Sequence, residues 1–168
     1  MRIRLTEERD LVAVKEMESA PEARLWVYQW TEAQHRALFS DLDSGHWMLE
    51  DENGTVLGYC IMKGLNHPFG VVELMRIVVG PKGKGHGRAA VLAVMEAVFD
   101  RPETRKRWLD VAEGNARAIH LYESIGFIHE GTLRESALFE GKPVSMELYG
   151  MLRREYAVLK ADDFARKG

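Results

Sequence analysis

The sequence predicts an α/β fold of the α+β type, in which helices flank a mixed, mostly antiparallel sheet of six to seven strands. The central observation is a β-branched run at Val71–Val79, followed by a glycine-rich loop and an apolar stretch that ends at Phe99. This order is typical of a strand, a tight turn and a helix, and a further strand at Trp108–Ala112 would complete a parallel crossover. Asn53-Gly54 and Glu140-Gly141 lie between other apolar runs and predict antiparallel hairpins on either side.

The first half of the chain is predicted to supply a strand, two helices and a hairpin. Ile3 and Leu5 alternate with arginines as in a short strand, and apolar residues at helical spacing predict a helix over residues 8–19. Thr31 and Gln34 match a capping box, which would begin a second helix that reaches about residue 43. Strands around residues 47–49 and 56–62 then flank the Asn-Gly turn.

The second half is predicted to contain the crossover helix, a short capped helix and a long hairpin. The helix from Arg88, or just before it, to Phe99 carries few charges, so we expect it to be almost wholly buried. Asn115 is a good N-cap and Gly126 a good residue to follow a helix C-terminus. Long strands are predicted over residues 127–138 and 144–152, and the charged tail after them is compatible with a helix.

Length and composition narrow the class of protein. The 168 residues suit a single domain with a substantial core, and a net charge of −3 without a basic stripe argues against a nucleic-acid binder. The single cysteine, Cys60, offers neither a disulfide framework nor a paired thiol site for zinc, which predicts a reducing compartment. No metal is expected. We find no apolar run long enough to span a bilayer and no secretion signal, which predicts a cytoplasmic protein without membrane contact.

The loop after Val79 is predicted to cradle phosphates. Its glycines let the backbone approach a ligand, and the first N–H groups of the following helix favour an anion. Lys82, Lys84 and Arg88 add positive charge there. The spacing excludes a nucleotide-triphosphate P-loop, whereas residues 85–90 fit a dinucleotide fingerprint with Asp110 or Glu113 about 20 residues on. The dinucleotide interpretation is disfavoured because too few βα units follow.

Two segments together resemble one family. The run KGKGHG at residues 82–87 looks like the acetyl-CoA pyrophosphate motif of the GNAT superfamily of N-acetyltransferases, in its ribosomal-protein and polyamine acetyltransferase-like branch. The segment NARAIHLYESIGF at residues 115–127 is similar to the downstream N-x-x-A-x-x-L-Y-x-x-x-G-F pattern of that superfamily. The resemblance implies one N-acetyltransferase domain over residues 1–168, with a cofactor-binding core at about 71–135 and a tail at about 153–168.

The resemblance also implies where acetyl-CoA would lie. In that superfamily the fourth and fifth strands splay apart, and the thioester end of the co-substrate occupies the gap. Backbone groups of Ile77, Val78 and Val79 are expected to pair with the pantetheine amides. The expected contacts farther along the chain are Lys82, Gly83, Lys84, Gly85, His86, Gly87, Arg88, Asn115, Ala118 and Tyr122.

Two residues are expected to act in catalysis. By resemblance, Tyr122 lies near the sulfur, where a phenol can hydrogen-bond or protonate the departing thiolate. Glu73 is the candidate general base, because the superfamily often places a glutamate on this strand. The alternative for Glu73 is an ion pair with Arg76 or another surface charge, and a pKa near 4.3 would need burial or a water relay to serve an amine.

Several alternatives stay open at this level. Direct acetyl transfer to an amine in a ternary complex is the leading hypothesis, and a non-catalytic module that senses CoA thioesters is the second. A covalent acetyl-cysteine on Cys60 lacks a paired base nearby in sequence. Trp26 and Trp30 either line an acceptor pocket or pack in the core. The acceptor is expected to be a small-molecule or peptide amine, and many members of the superfamily form homodimers.

Overall fold

A computed structural model describes residues 1–80 and 85–167, with side chains described as far as residue 161. The strands are β1 (Arg2–Leu5), β2 (Ser44–Glu50), β3 (Val56–Lys63), β4 (Val71–Val79), β5 (Lys106–Ala112), β6 (Ile128–Phe139) and β7 (Lys142–Leu152). The helices are α1 (Leu11–Ser19), α2 (Pro21–Arg24), α3 (Glu32–Ala37), α4 (His86–Phe99), α5 (Ala116–Ile125) and α6 (Arg153–Lys167), and short 3₁₀ turns precede α1 and follow α3.

The strands form one sheet in the order β1-β2-β3-β4-β5-β7-β6. Every neighbouring pair is antiparallel except β4 and β5, which are parallel and joined by the α4 crossover. The predicted fold class is therefore confirmed, with seven strands in the described part of the chain.

The contact between β4 and β5 is short. Only Val71, Val72 and Glu73 of β4 find register partners on β5, and the last pair is Glu73 with Trp108. Beyond this pair the two strands diverge, although each continues for several residues. The divergence confirms the predicted splay and opens a gap in the middle of the sheet.

A β-bulge re-aims the side chains of β4 just beyond the start of the gap. Ile61 of β3 is opposite Arg76 and Met62 is opposite Leu74, so Met75 is an extra residue without a partner. A bulge turns the following side chains to the other face of the sheet. Glu73 and Arg76 consequently face the same side of the sheet even though three positions separate them.

Apolar side chains cover both faces of the sheet. One cluster packs α4, α5 and α6 against the sheet through residues such as Val94, Ile125 and Tyr156, and the other packs α1 through Val14. Arg107 has a fully buried side chain, because it follows the inward alternation of Leu109 and Val111 along β5. Within the described residues, no helix is long and apolar enough to cross a membrane.

Two predictions about helices need correction, and one helix was not predicted. Helix α4 is not almost wholly buried, because Ala89, Glu96 and Ala97 face solvent while the opposite side packs on the sheet. The helix begun by Thr31 ends at Ala37, and a 3₁₀ turn follows. It stops short of residue 43 because the Asp41 carboxylate accepts hydrogen bonds from the Asp43 N–H and the Ser44 hydroxyl, which forms a turn. Helix α2 was not predicted, since its four residues are too few for a periodic pattern.

Candidate active site

A cleft of about 1450 Å³ follows the gap between β4 and β5. One part is walled by the N-terminal ends of α4 and α5, and another by α2, the segment after it and the hairpin of β6 and β7. The gap therefore joins these two parts into one continuous cleft.

The N-terminal end of α4 has the geometry of an anion site. Gly85 precedes the helix with φ +75°, a left-handed conformation that favours glycine, and its carbonyl accepts the first helical hydrogen bond from Ala89 N–H. The N–H groups of the residues between them have no acceptor within the helix and point towards its free end. The His86 Nδ1 atom is buried without a hydrogen-bond partner in the described chain, which leaves a further polar group for a ligand.

Most of the predicted cofactor contacts lie along this cleft. Lining residues include Ile77, Val78, Val79, Gly85, His86, Gly87, Arg88, Asn115, Ala118 and Tyr122. Lys82, Gly83 and Lys84 lie outside the described residues. The residues present therefore fit a ligand with an extended arm along β4 and phosphates at α4.

The β4 backbone can hold such an arm because the edge of β4 that faces β5 is not paired with that strand in the gap. Ile77 to Val79 pair with β3 on the other side and lie beyond the last residue pair with β5. Their free carbonyl and N–H groups need partners in a partly buried location. An amide-containing chain in the gap would supply those partners in the manner of an added strand.

Helix α5 places its residues by capping. The Asn115 side chain accepts a hydrogen bond from Ala118 N–H at 3.3 Å, and Gly126 ends the helix with φ +108°. Both features agree with the sequence prediction. They fix the rotation of the helix, so that Asn115 and Tyr122, two turns apart, line the cleft together.

Tyr122 presents a phenol in a dry environment. Its side chain is 7% exposed, its ring packs edge-on to Phe127 with centroids 5.7 Å apart, and its hydroxyl has no hydrogen-bond partner in the described chain. Burial raises the pKa of Tyr122 to about 12, against the opposing charge of Arg107 and with a contribution from Asp110. The phenol is therefore protonated at neutral pH.

Glu73 lies where the two strands separate. It is half-buried, and burial raises the pKa of its carboxyl, with a further rise from the charge of Asp110 and an opposing effect of Lys63. The suggested ion pair with Arg76 is wrong, because Arg76 pairs with the buried Glu18 and stacks 4.4 Å from the Trp30 ring centre. Within the described residues, Glu73 has no ion pair within 4 Å.

The end of the cleft that lies away from α4 is lined by an aromatic contact between distant segments. Tyr28, in the segment after α2, stacks on Phe139 at the end of β6, with ring centroids 4.7 Å apart. The Leu138 N–H also donates to the Tyr28 hydroxyl at 2.9 Å. We call this contact the Tyr28–Phe139 clasp. It joins the N-terminal helical segment to the C-terminal hairpin.

The two tryptophans have different locations. Trp26 is 36% exposed, lines the cleft and packs on Gly114, where an added Cβ would lie 3.3 Å from its ring. Trp30 packs against the cluster on the α1 face and carries Arg76 on its ring. The pocket interpretation therefore suits Trp26, and the packing interpretation suits Trp30.

Cys60 has the environment of a core residue. Its side chain is fully buried among apolar residues, and burial raises the pKa of its thiol to about 12. Cys60 does not line the cleft. A thiol in this state is a poor nucleophile, so the structure offers no support for a covalent acetyl-cysteine.

Two charged residues near the cleft were missed as site residues. Asp110 was considered only for the disfavoured dinucleotide, yet it lines the cleft beside Glu73, and burial raises its pKa. Arg107 is fully buried, its Nε and Nη1 atoms lack hydrogen-bond partners, and burial lowers its pKa to about 10. The alternation of side chains along β5 could have revealed both residues from the sequence. In a strand, Trp108 and Asp110 face one side of the sheet and Arg107 faces the other.

No group of three or more histidine, cysteine, aspartate or glutamate side chains is placed to hold a metal ion in the described part of the chain.

Comparison with known proteins identifies the family. The model of the acetyltransferase (GNAT) family matches residues 9–127, which is more than half of the chain. The chain belongs to the GNAT acetyltransferase family. The resemblance drawn from the two sequence segments is thereby confirmed.

Individual members of the GNAT family match this chain at low identity or over a short segment. A spermidine N(1)-acetyltransferase of Vibrio cholerae is 28% identical over 112 residues, which cover 66% of this chain and 64% of the relative. An aminoglycoside N(6′)-acetyltransferase of Klebsiella pneumoniae is 43% identical over 51 residues, covering 30% and 25% of the two chains. These matches span less than two thirds of either relative, so they do not establish a substrate for this chain.

The GNAT fold itself is matched over nearly the whole chain. The crystal structure of spermidine N-acetyltransferase from Vibrio cholerae in complex with CoA and spermine superposes with a TM-score of 0.83. The match covers 93% of this chain and 97% of that structure at 22% identity. At this identity the likeness shows a shared fold.

Proposed function

We propose that this protein is an N-acetyltransferase that moves an acetyl group from acetyl-CoA to an amine by direct attack in a ternary complex. The observation that carries the proposal is the gap in the sheet, which has an anion-binding helix N-terminus on one side and both Glu73 and Tyr122 on its walls. Membership of the GNAT family and the acetyltransferase names of the relatives support it.

The cofactor end would hold acetyl-CoA chiefly by backbone groups. The free β4 edge at Ile77 to Val79 would pair with the pantetheine arm, and the N–H groups after Gly85 would bind the diphosphate. Arg88 is exposed at this end, but its guanidinium donates to the Ser124 hydroxyl at 3.0 Å. Contact of Arg88 with a 3′-phosphate would therefore require release of that hydrogen bond, and Lys82 and Lys84 remain the other candidates.

The catalytic end would supply a proton acceptor for the amine and a hydrogen-bond donor for the sulfur. Glu73, with a pKa raised by burial, is a better base for an ammonium than an exposed glutamate would be, because its conjugate acid is weaker. Tyr122 is protonated and unpartnered, so it can donate a hydrogen bond to the sulfur as the thiolate leaves.

The acceptor is proposed to be a cationic small molecule or peptide amine. Carboxylates of Glu22, Glu73 and Asp110 line the cleft, whereas the basic residues Arg88 and Arg117 lie on the helices at its phosphate end. This separation of charge suits an anionic co-substrate and a cationic acceptor. The spermidine and aminoglycoside acetyltransferase names of two relatives point to the same class. A homodimer, a cytoplasmic location and the absence of a nucleic-acid partner stay predictions from the sequence.

A thiol-release assay tests the proposed function. The purified chain is mixed with acetyl-CoA and, in turn, a polyamine, an aminoglycoside and a peptide with a free N-terminus. We expect acceptor-dependent release of free CoA thiol and an acetylated product of matching mass. Tight CoA binding without release for any amine would contradict the proposal and would favour a sensor of CoA thioesters.

A further inference from the structure

The cleft has an apolar part on the side of the sheet that α1 covers. Met17 and Val27 line the cleft there and pack with the α1 cluster. Met146 lies on the same side, because an odd number of positions separates it from Tyr149, which packs on the α4 side. Leu133 is the register partner of Met146 on β6 and also lines the cleft. We call this part of the cleft the apolar arm, and its aromatic members are Trp26, Tyr28 and Phe139.

Buried negative charge is available to a ligand at one end of the apolar arm, where it meets the gap. Glu73 and Asp110 are half-buried and alternate along their strands with residues that pack on the α4 side, so both carboxylates face the α1 side. Of the other charged residues on this side, Arg76 is paired with the buried Glu18, and Glu22 is exposed on α2. A cationic nitrogen would therefore be held at the gap.

The apolar arm has surface that the protein itself does not cover. Trp26 is 36% exposed, and Tyr28 and Leu133 are each 46% exposed, although all three line the cleft. Tyr28 is stacked on Phe139 and Trp26 packs on Gly114, so both rings are held in place without a ligand. Apolar surface along a cleft with a few convergent polar groups is typical of a ligand site. The apolar arm can therefore cover an apolar group of a bound molecule.

A second ammonium group would be unfavourable in the apolar arm. It would lose hydration there, and the described residues place no buried, unpaired carboxylate along the arm beyond the gap. The ring of Trp26 would attract a cation only weakly at a partly exposed site, and the exposed Glu22 would be screened by solvent. A hydrocarbon group of the same size would instead gain from burial.

We propose that the acceptor is a primary amine with one positive charge and an apolar or aromatic body, in preference to a polyamine or an aminoglycoside. Its ammonium group lies at the gap beside Glu73, and its body lies along the apolar arm against Trp26 and Leu133. This inference rests on the proposed function and narrows the class of acceptor. It departs from the acceptors named for two relatives, which carry several positive charges.

Two amines of equal length test the inference. Heptylamine and hexane-1,6-diamine have the same number of heavy atoms and differ in one terminal group, which is a methyl in the first and an ammonium in the second. With the wild-type chain at neutral pH, we expect kcat/KM for heptylamine to exceed that for hexane-1,6-diamine by about tenfold or more. Equal values, or a preference for the diamine, would overturn the inference.

The variant Leu133→Glu tests where the body of the amine lies. A carboxylate in the apolar arm should lower kcat/KM for heptylamine and raise it for the diamine, so that their ratio changes by about tenfold. The dissociation constant of CoA should stay within about threefold. Ile128→Glu is the matched control, because Ile128 is 53% exposed on the same strand and does not line the cleft. A ratio that changes no more in Leu133→Glu than in this control would overturn the inference.

Failure of the inference can be distinguished from failure of the proposed function. Acetylation of spermidine or an aminoglycoside in preference to heptylamine would overturn the inference and leave the acetyltransferase activity standing. Absence of CoA thiol release with heptylamine and with every other amine tested would contradict the proposed function itself.

Discussion

Tyr122 shows how burial limits the chemistry of one side chain. With a pKa of about 12, its phenol is a weaker acid than a thiol with a pKa near 8.5. Full transfer of its proton to a free thiolate is uphill by about 5 kcal/mol, taking 1.36 kcal/mol for each pH unit. The phenol therefore stabilises the thiolate mainly by a hydrogen bond unless a second group returns its proton at the same time.

The variant Tyr122→Phe tests this role. Deleting the hydroxyl removes a donor that acts mainly as the sulfur leaves, so kcat should fall by about 100-fold while CoA affinity stays nearly intact. Turnover and the calorimetric dissociation constant of CoA measure the two effects separately. A large loss of affinity with normal turnover would contradict the assigned role.

Residue-level prediction succeeded where a local motif determines conformation. Asn115 and Gly126 cap α5 as expected, because a cap depends on neighbouring residues alone. The location of Glu73 at the last β4–β5 pair could not be read from its own segment, since it depends on where two distant strands diverge. Asp110 was missed for the same reason, because its importance depends on its proximity to Glu73 on another strand.

At the scale of elements, the acceptor end is formed by segments far apart in sequence. The Tyr28–Phe139 clasp links the segment after α2 to the β6–β7 hairpin, and β6 bulges between Leu133 and Ala137 before it reaches Phe139. A bulge bends its strand and changes the direction of the side chains beyond it. The hairpin end is thereby brought over the cleft.

Breaking the Tyr28–Phe139 clasp should weaken binding of the amine acceptor and leave binding of acetyl-CoA unchanged. A stacked aromatic pair contributes about 0.5–1.5 kcal/mol, so Phe139→Ala should raise the KM for the amine by about two- to tenfold. Phe69→Ala is the control, because Phe69 is an exposed aromatic outside the cleft. Steady-state kinetics with each substrate varied would detect the effect, and equal changes in both KM values would contradict it.

Sequence patterns predicted each of the seven strands found in the described residues, as well as the longer helices, because their periodicity extends over many residues. They missed α2 and the Met75 bulge. The first has only four residues, and the second is defined by the register between β3 and β4. Burial of α4 was overstated since alanines were counted as buried, although Ala89 and Ala97 are on its exposed side.

At the scale of the whole molecule, a buried polar cluster joins α1 and α3 to the sheet. Glu18 bonds to Arg76 and to the Tyr59 hydroxyl, while His35 Nδ1 lies 3.0 Å from His46 Nε2. Burial lowers the pKa of His46 to about 4, helped by the charges of His35 and Arg76. Burial alone would raise the pKa of Glu18, but the His35 imidazole 3.2 Å away, a hydrogen bond from Tyr59 and the charge of Arg76 bring it to about 2.

These shifts predict loss of stability in acid. In the unfolded chain His46 is protonated near pH 6.5, whereas in the folded chain it is protonated only near pH 4. The free energy of unfolding therefore decreases as the pH falls from 6.5 to 4. The slope from this group approaches about 1.4 kcal/mol per pH unit. Glu18 adds a further loss from pH 4.5 towards 2, because its folded pKa is depressed.

Urea unfolding at pH 7 and pH 5 measures this dependence. His46→Asn should be less stable at pH 7 but should lose less stability between the two pH values than the wild type. His67→Gln is the control, since His67 is exposed. An unchanged pH dependence in His46→Asn would show that other groups cause the acid sensitivity.

The short contact between β4 and β5 has a mechanical consequence. Four strands lie on one side of this contact and three on the other, and three residue pairs connect them. Any change in the angle between the two sub-sheets would therefore widen the gap most at its far end, and it would displace Glu73 least because Glu73 belongs to the last connecting pair.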